Sequence, residues 1–135
     1  MRRSKITATF QADVKTVWDV VTNNEDYSWR SDLEKITVGE DGLCFTEYTK
    51  GGYRTDFMIT FRAPYTRYEF DMKSNNFTGH WTGIFSETES NGTQVDFTEE
   101  LYINNRIMEL LSYLFMNIRK IQAAYIADLR RKLQE

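Results

Sequence analysis

Apolar and polar positions alternate through the middle of this chain and take a helical period on either side of it. Ile6 to Phe10 alternates as a first strand, and after Gln11-Ala12-Asp13 the apolar residues Val14, Val17, Trp18, Val20 and Val21 recur at helical spacing. Asp13 is placed to cap that helix. Glu25 to Asp32, with Tyr27 and Trp29, predicts a short second helix or helical turn that plugs one end of the fold. From Leu33 onward, strand-length runs are divided by turn residues: Leu33 to Val38, Leu43 to Thr49, Tyr53 to Arg62, Tyr68 to Met72, Phe77 to Glu87 and Val95 to Ile103. The period then changes once more. From about Ile103 to Leu133 the apolar residues Ile107, Met108, Leu111, Leu114, Phe115, Ile118, Ile121, Tyr125, Ile126, Leu129 and Leu133 recur every three or four positions, predicting one long amphipathic helix. Roughly 30 helical residues would reach about 45 Å, the full length of a small sheet.

Alternation assigns the faces of the strands. Tyr53, Phe57, Ile59 and Phe61 share one face, as do Tyr68, Phe70 and Met72, then Phe77, Gly79, Trp81, Gly83 and Phe85, then Val95, Phe97, Leu101 and Ile103. Turns over Ala63 to Thr66 and Lys73 to Asn76, with a three-residue Ser90-Asn91-Gly92 connection, align Phe61, Tyr68, Trp81 and Leu101 in a row across the inner face. Gly79 and Gly83 flank Trp81, where missing side chains either let the helix approach or leave room for a ligand. Glu99 is the misfit on this face. It either points a carboxylate into an apolar space, or sits wet at the sheet end or beside a bulge at Glu99-Glu100. Glu47 faces outward if Gly51-Gly52 forms a tight turn and inward if the loop is longer.

Composition narrows the function classes. The chain has 135 residues, 41% hydrophobic and 15% aromatic, which suits one domain over residues 1–135 with a substantial core. A net charge of -3 offers no basic footprint for nucleic acid. The basic start, Met1-Arg2-Arg3-Ser4-Lys5, precedes an apolar stretch too short for a signal peptide or a membrane span, so the expected location is cytoplasmic, without integral membrane association. One cysteine, Cys44, and one histidine, His80, cannot build a disulfide or a convincing metal site, so no metal and no cofactor are expected. His80 falls on the outer face beside Glu69 and Tyr102, as either a tuned acid/base pair or a solvated cross-strand pair. Cys44 reads as a small buried hydrophobe rather than a nucleophile.

The segments ADVKTVWDVVTNNEDYSWRSDLEKI, RAPYTRYEF, GHWTGIFSE and NGTQVDFTEEL, in the order strand, helix, short helix, six strands, long helix, resemble the START-like helix-grip superfamily, the polyketide cyclase and pollen-allergen-like group. The resemblance spans essentially the whole chain. It implies an α+β fold in which a seven-stranded curved antiparallel sheet wraps around a long C-terminal helix, with two short helices after the first strand. It is specific for fold and not for activity.

That architecture predicts a pocket between sheet and helix for a small hydrophobic or amphipathic molecule such as a lipid, polyketide or quinone. Its expected lining is Trp29, Tyr53, Phe57, Ile59, Phe61, Tyr68, Phe70, Trp81, Phe97, Leu101, Met108, Leu111, Phe115 and Ile118. Trp29 and Arg30 would either gate the entrance or pack a loop, and the same aromatic and Met stripes would equally make plain core. An alternative is a cyclase-like or hydrolase-like enzyme, with Glu99 as general acid/base in an apolar pocket and Tyr53, Tyr68 or Tyr102 orienting oxygens. A third reading is an interaction module or homodimer using Met58, Ile84 and Tyr102 on the outer sheet face.

Overall fold

The computed structural model describes residues 1–135 apart from the side chain of Phe115, so the pocket role expected of Phe115 lies outside the described residues. The strand-length runs form β1 (Arg2–Phe10), β2 (Leu33–Val38), β3 (Cys44–Thr49), β4 (Arg54–Ala63), β5 (Arg67–Lys73), β6 (Phe77–Glu87) and β7 (Thr93–Ile103). They make one seven-stranded antiparallel sheet in the order β1-β7-β6-β5-β4-β3-β2. Helix α1 (Val14–Thr22) follows β1; the Asp13 carboxylate accepts from the Thr16 N–H at 2.8 Å, and Val17, Trp18 and Val21 turn to the core. Glu25 to Asp32 is a pair of turns rather than the expected second helix. Side chains in and beside that run bond nearby backbone: Asn23 accepts from the Glu25 N–H at 3.1 Å, and the Trp29 indole N–H donates to the Asp26 carbonyl at 3.1 Å.

The registers differ from the expected ones, mostly by steps that keep the same face. Trp81 pairs with Phe70 and Glu99, and Tyr68 with Gly83. Each pairing has slipped by two residues, so side chains stay on their predicted side while their neighbours change. A five-residue connection, Thr88 to Gly92, causes one of these slips, and Asn91 rather than Gly92 takes the left-handed backbone there, with φ 62°. Gly92 is required for another reason: a Cβ would run into the Phe10 carbonyl.

Two expectations for β4 fail on local geometry. The register shifts between Ile59 and Phe61, and the extra residue of this bulge reverses the alternation, so Phe61 pairs with outward Glu69 and is 48% exposed. Tyr53 lies before the strand, in the loop closed by Thr49 N–H to Tyr53 C=O at 2.9 Å, and is 74% exposed.

The long helix is broken. Helix α2 (Arg106–Phe115) ends at an extended Met116, and α3 (Ile118–Lys132) begins at Asn117, whose side chain accepts from the Lys120 N–H at 3.0 Å. Arg2 secures the break by donating to the carbonyls of Ser112 (2.9 Å), which also accepts the last helical bond from the Met116 N–H, and of Met116 itself (2.8 Å). The backbone therefore exchanges helical bonds for a cap and a half-buried cation. Of these two helices only α3 packs into the concave face of the sheet, with Ile118, Ile126 and Leu129 in the core. α2 leaves Ile107, Met108, Leu110, Leu111 and Leu114 exposed, so Met108 and Leu111 do not wall the space under the sheet. On the convex face of the sheet Met58, Ile84 and Tyr102 are exposed.

Candidate functional site

Inward residues of six strands face α3 across a cavity of about 190 Å³. Its apolar wall is a chain of aromatic rings. Phe45 stacks on Phe57 at 4.7 Å, Phe57 meets Phe70 edge-on at 5.2 Å, Phe70 stacks on Trp81 at 4.8 Å, and Trp81 leans on Phe97 at 4.8 Å. Ile6, Val21, Met72, Phe77 and Ile121 complete that lining. The glycines flanking Trp81 serve neither of the roles expected of them. A Cβ on Gly83 would lie 2.5 Å from the Trp81 ring, and one on Gly79 2.7 Å from the Glu100 carbonyl, so Trp81 itself and the neighbouring strand occupy their space.

The other end of the cavity is polar. Arg30, Asp32, Glu47, Glu99, Asn24, Thr55, Gln122 and Tyr125 all reach it. Arg30 is fixed in the turn before β2: Nε and Nη2 donate to the Asp32 carboxylate at 3.1 and 3.0 Å, and Nη1 lies 3.6 Å from Glu47. Its guanidinium covers the Tyr125 ring at 4.7 Å and lies 5.8 Å from Trp29. The turn is tied to α3 in turn. Asp128, buried, accepts from both the N–H and the hydroxyl of Ser31 at 2.8 Å, and Arg131 donates to Asp128 at 2.9 Å and to the Trp29 carbonyl at 3.1 Å.

Glu47 faces inward because β3 and β4 pair Tyr48 with Arg54 and Glu47 with Thr55, leaving a five-residue loop, Thr49 to Tyr53. This is the longer-loop arrangement. Glu99 also faces inward, opposite Trp81 on one side and Ser4 on the other. Among the described residues it has no ion pair or side-chain hydrogen bond. Burial, then the nearby Glu47 charge, push its carboxyl up to about 7, and the Arg30 charge only partly opposes them. Desolvation likewise raises Glu47, against the pull of Arg30. For Arg30 itself, burial disfavours the charge but Glu47, Tyr125 and Asp32 more than compensate, so it stays cationic. Burial raises Tyr125 well above an ordinary phenol.

Of the residues expected to line a pocket, Phe57, Tyr68, Phe70, Trp81 and Phe97 meet at this cavity together with Glu99. Ile59, Leu101 and Ile118 are buried in the core behind it, and Trp29 packs edge-on against Tyr125 at 5.3 Å rather than gating an entrance. Tyr53, Phe61, Met108 and Leu111 point elsewhere, for the reasons given above. Phe45, Arg30 and Tyr125 were absent from the expected lining. Phe45 and Tyr125 follow the strand and helix periods and were legible as inward, whereas nothing periodic marks Arg30. On the outer face His80 bonds Asp71 through Nδ1 and Glu69 through Nε2, both at 2.7 Å, instead of neighbouring Tyr102. Cys44 is half-buried and free, and the described residues contain no cluster of three metal-ligating side chains.

The sequence model described as polyketide cyclase / dehydrase and lipid transport matches residues 1–134. The chain belongs to this family. At family level this supports a ligand-binding pocket, without specifying a ligand. No curated protein sequence matches the chain. Among solved structures it is similar to the protein XoxI from Bacillus cereus, with a TM-score of 0.80 at 14% identity, covering 100% of this chain and 97% of that one. It is also similar to a START superfamily protein from Mycobacterium smegmatis, with a TM-score of 0.71 at 11% identity over 97% and 93% of the two chains. A third is DynU16, a protein of the dynemicin biosynthetic locus, with a TM-score of 0.71 at 14% identity over 98% of this chain and 47% of that one. Identities this low speak to the fold, which is START-like α+β. No described helix is long and apolar enough to cross a membrane.

Proposed function

We propose that this protein binds a compact, mostly apolar small molecule between the sheet and α3. The observation that supports the reading best is the open volume beneath Phe57, Phe70, Trp81 and Phe97, in a core whose other aromatic rings are in mutual contact. An apolar cavity of about 150 Å³ accepts a benzene molecule, so one of about 190 Å³ suits a substituted ring. A polyketide ring or a quinone head group fits that limit, and a lipid would have to leave its chain outside, past the exposed rim residue Ile121. The test is extraction and mass spectrometry of small molecules carried by the purified protein, with NMR contacts from the released compound back to Trp81 and Phe97. A carried compound whose contacts map to the α2 surface, or a cavity that excludes every ring-sized probe, overturns the proposal.

One observation favours a second reading, an enzyme of the cyclase or hydrolase type. A carboxyl titrating near neutral pH and facing the bound molecule is suited to general acid/base work, with Glu99 in that role. Tyr68 is the one proposed orienting tyrosine at the cavity, since Tyr53 and Tyr102 are exposed elsewhere. Turnover of a candidate ring precursor that survives Glu99→Gln unchanged eliminates this role. Pairing of two copies would use the convex face around Met58, Ile84 and Tyr102, and a single-chain molar mass across a dilution series removes that reading.

A further inference from the structure

The polar end of the cavity has charge to offer of only one sign. Among the described residues Arg30 is its one cation, set against the three carboxylates of Asp32, Glu47 and Glu99. Three of the five N–H donors of Arg30 are engaged, two with Asp32 and a third toward Glu47, and one face is laid on Tyr125, so most of its charge is already spent on neighbouring carboxylates. The Gln122 amide is committed too. It donates to the carbonyls of Ser4 (3.0 Å) and Phe97 (3.3 Å) and accepts from the Ser4 hydroxyl at 2.7 Å. Asn24 leans toward the Tyr68 hydroxyl at 3.5 Å. The hydroxyls of Tyr68 and Tyr125 can turn to donate or accept, and so do not decide polarity. The unspent charged capacity is the whole Glu99 carboxylate and the looser side of Glu47, whose only ion pair spans 3.6 Å. Both are acceptors.

Glu99 is partly buried and has no protein partner for its carboxylate, so a donor on a ligand would add a bond the protein does not supply, whereas a ligand carboxylate would add a like charge to an already anionic pocket. Building on the ligand-binding reading above, we infer that the cavity selects a ring-sized molecule bearing a cationic amine, directed at Glu99 with Glu47 beside it, and rejects molecules ending in a carboxylate. The aromatic wall supports the same choice: the ring of such a ligand lies against Trp81 and Phe70, and its ammonium group is drawn both to carboxylate and to π-face. Amphiphiles with a neutral hydroxyl occupy a middle rank, since they donate one bond without the charge.

Phenylpropylamine, phenylpropanol and phenylpropanoate share one ring and arm and differ at the head group. Titration calorimetry of the full chain with each, at about pH 8.5 where Glu99 is ionised, should rank them amine, alcohol, acid, with about tenfold or more between amine and alcohol. Glu99→Gln should cut the amine's lead over the alcohol by about tenfold while leaving alcohol affinity within about twofold. Lowering the pH to about 5.5 should shrink that lead more in the wild type than in Glu99→Gln, because Glu99 takes up its proton across that range and only Glu47, also raised by burial, is left to respond in the variant. Equal binding of amine, alcohol and acid, or an amine preference indifferent to Glu99→Gln, overturns the inference and leaves the cavity a binding site. Failure of all three probes overturns both readings.

Discussion

Replacing Glu99 by Gln should make the protein more stable, and by an amount that depends on pH. A carboxyl with an ordinary value near 4.5 that is held at about 7 in the folded state binds its proton more tightly folded than unfolded. Between those values the folded chain carries the extra proton, so stability falls as the pH climbs through this window and levels off above it. Each tenfold difference in proton affinity is worth about 1.4 kcal/mol, so the gap corresponds to about 3 kcal/mol of stability missing at alkaline pH. Gln keeps the shape and loses the charge. Glu47, Asp32, Arg30, Tyr68 and Tyr125 face the same space. Removing the Glu99 charge also eases Glu47, which changes stability in the same direction. Water drawn toward the ionised group reduces the effect, so a gain of about 1 to 3 kcal/mol at about pH 9 is expected, with little difference at about pH 4. Urea unfolding across that range reads it directly: with a slope of about 1 to 3 kcal/mol per molar urea, the midpoint moves by an easily measured amount. Curves for the two proteins that stay parallel within about 0.5 kcal/mol from acid to alkaline pH would refute the placement of Glu99 in a desolvating, carboxylate-rich pocket.

Gly83→Ala forces the Trp81 indole aside, since the new methyl would sit 2.5 and 2.7 Å from ring carbons; a loss of about 1 to 3 kcal/mol with altered tryptophan fluorescence is expected, and an unchanged spectrum and midpoint would contradict the packing. Asp128→Asn weakens the tie between α3 and the turn that carries Arg30, costing about 1 to 3 kcal/mol by chemical denaturation. Burial works against the Asp128 charge, but the Ser31 and Arg131 bonds outweigh it, so its stabilising share is present above the ordinary value of 3.8 and is lost as the pH falls below it. Burial also disfavours a charged His80, yet its bonds to Asp71 and Glu69 raise it above 6.5. Its stabilising share is complete below 6.5 and fades as the pH rises through the raised value; NMR titration of the ring should give a midpoint above 6.5 that drops in Glu69→Gln.

The strands were legible because turn residues bound them, and their faces survived errors in pairing. A slip of two residues changes whom Trp81 meets, from Leu101 to Glu99, but not which side it is on. Features that depend on single residues were not legible in this way. A bulge near Thr60 reverses Phe61, and the length of the Thr49 to Tyr53 loop decides where Glu47 points. The helical period ran unbroken through Asn117, because a period records side-chain spacing and says nothing about whether the backbone bonds continue. The warning there was chemical: Asn is a poor interior helix residue and a good cap.

The same distinction explains why the candidate site was half visible. Its aromatic wall sits on strands and follows alternation, whereas Arg30 and Asp32 sit on a turn, where no period assigns a side. Glu99 lies between these cases, on a strand and against its pattern, which made it the polar residue that sequence could single out. The structure gives the misfit a physical meaning. An inward carboxylate facing Trp81 lowers stability wherever it is ionised, and Gln would remove most of that cost. A local rule broken at a stability cost inside an otherwise consistent fold is where function is to be sought. Here the break coincides with open volume, an aromatic wall and an arginine turned mainly to Asp32 and Glu47, so the carboxylate faces the space that a ligand would enter with no ion pair or hydrogen bond of its own among the described residues.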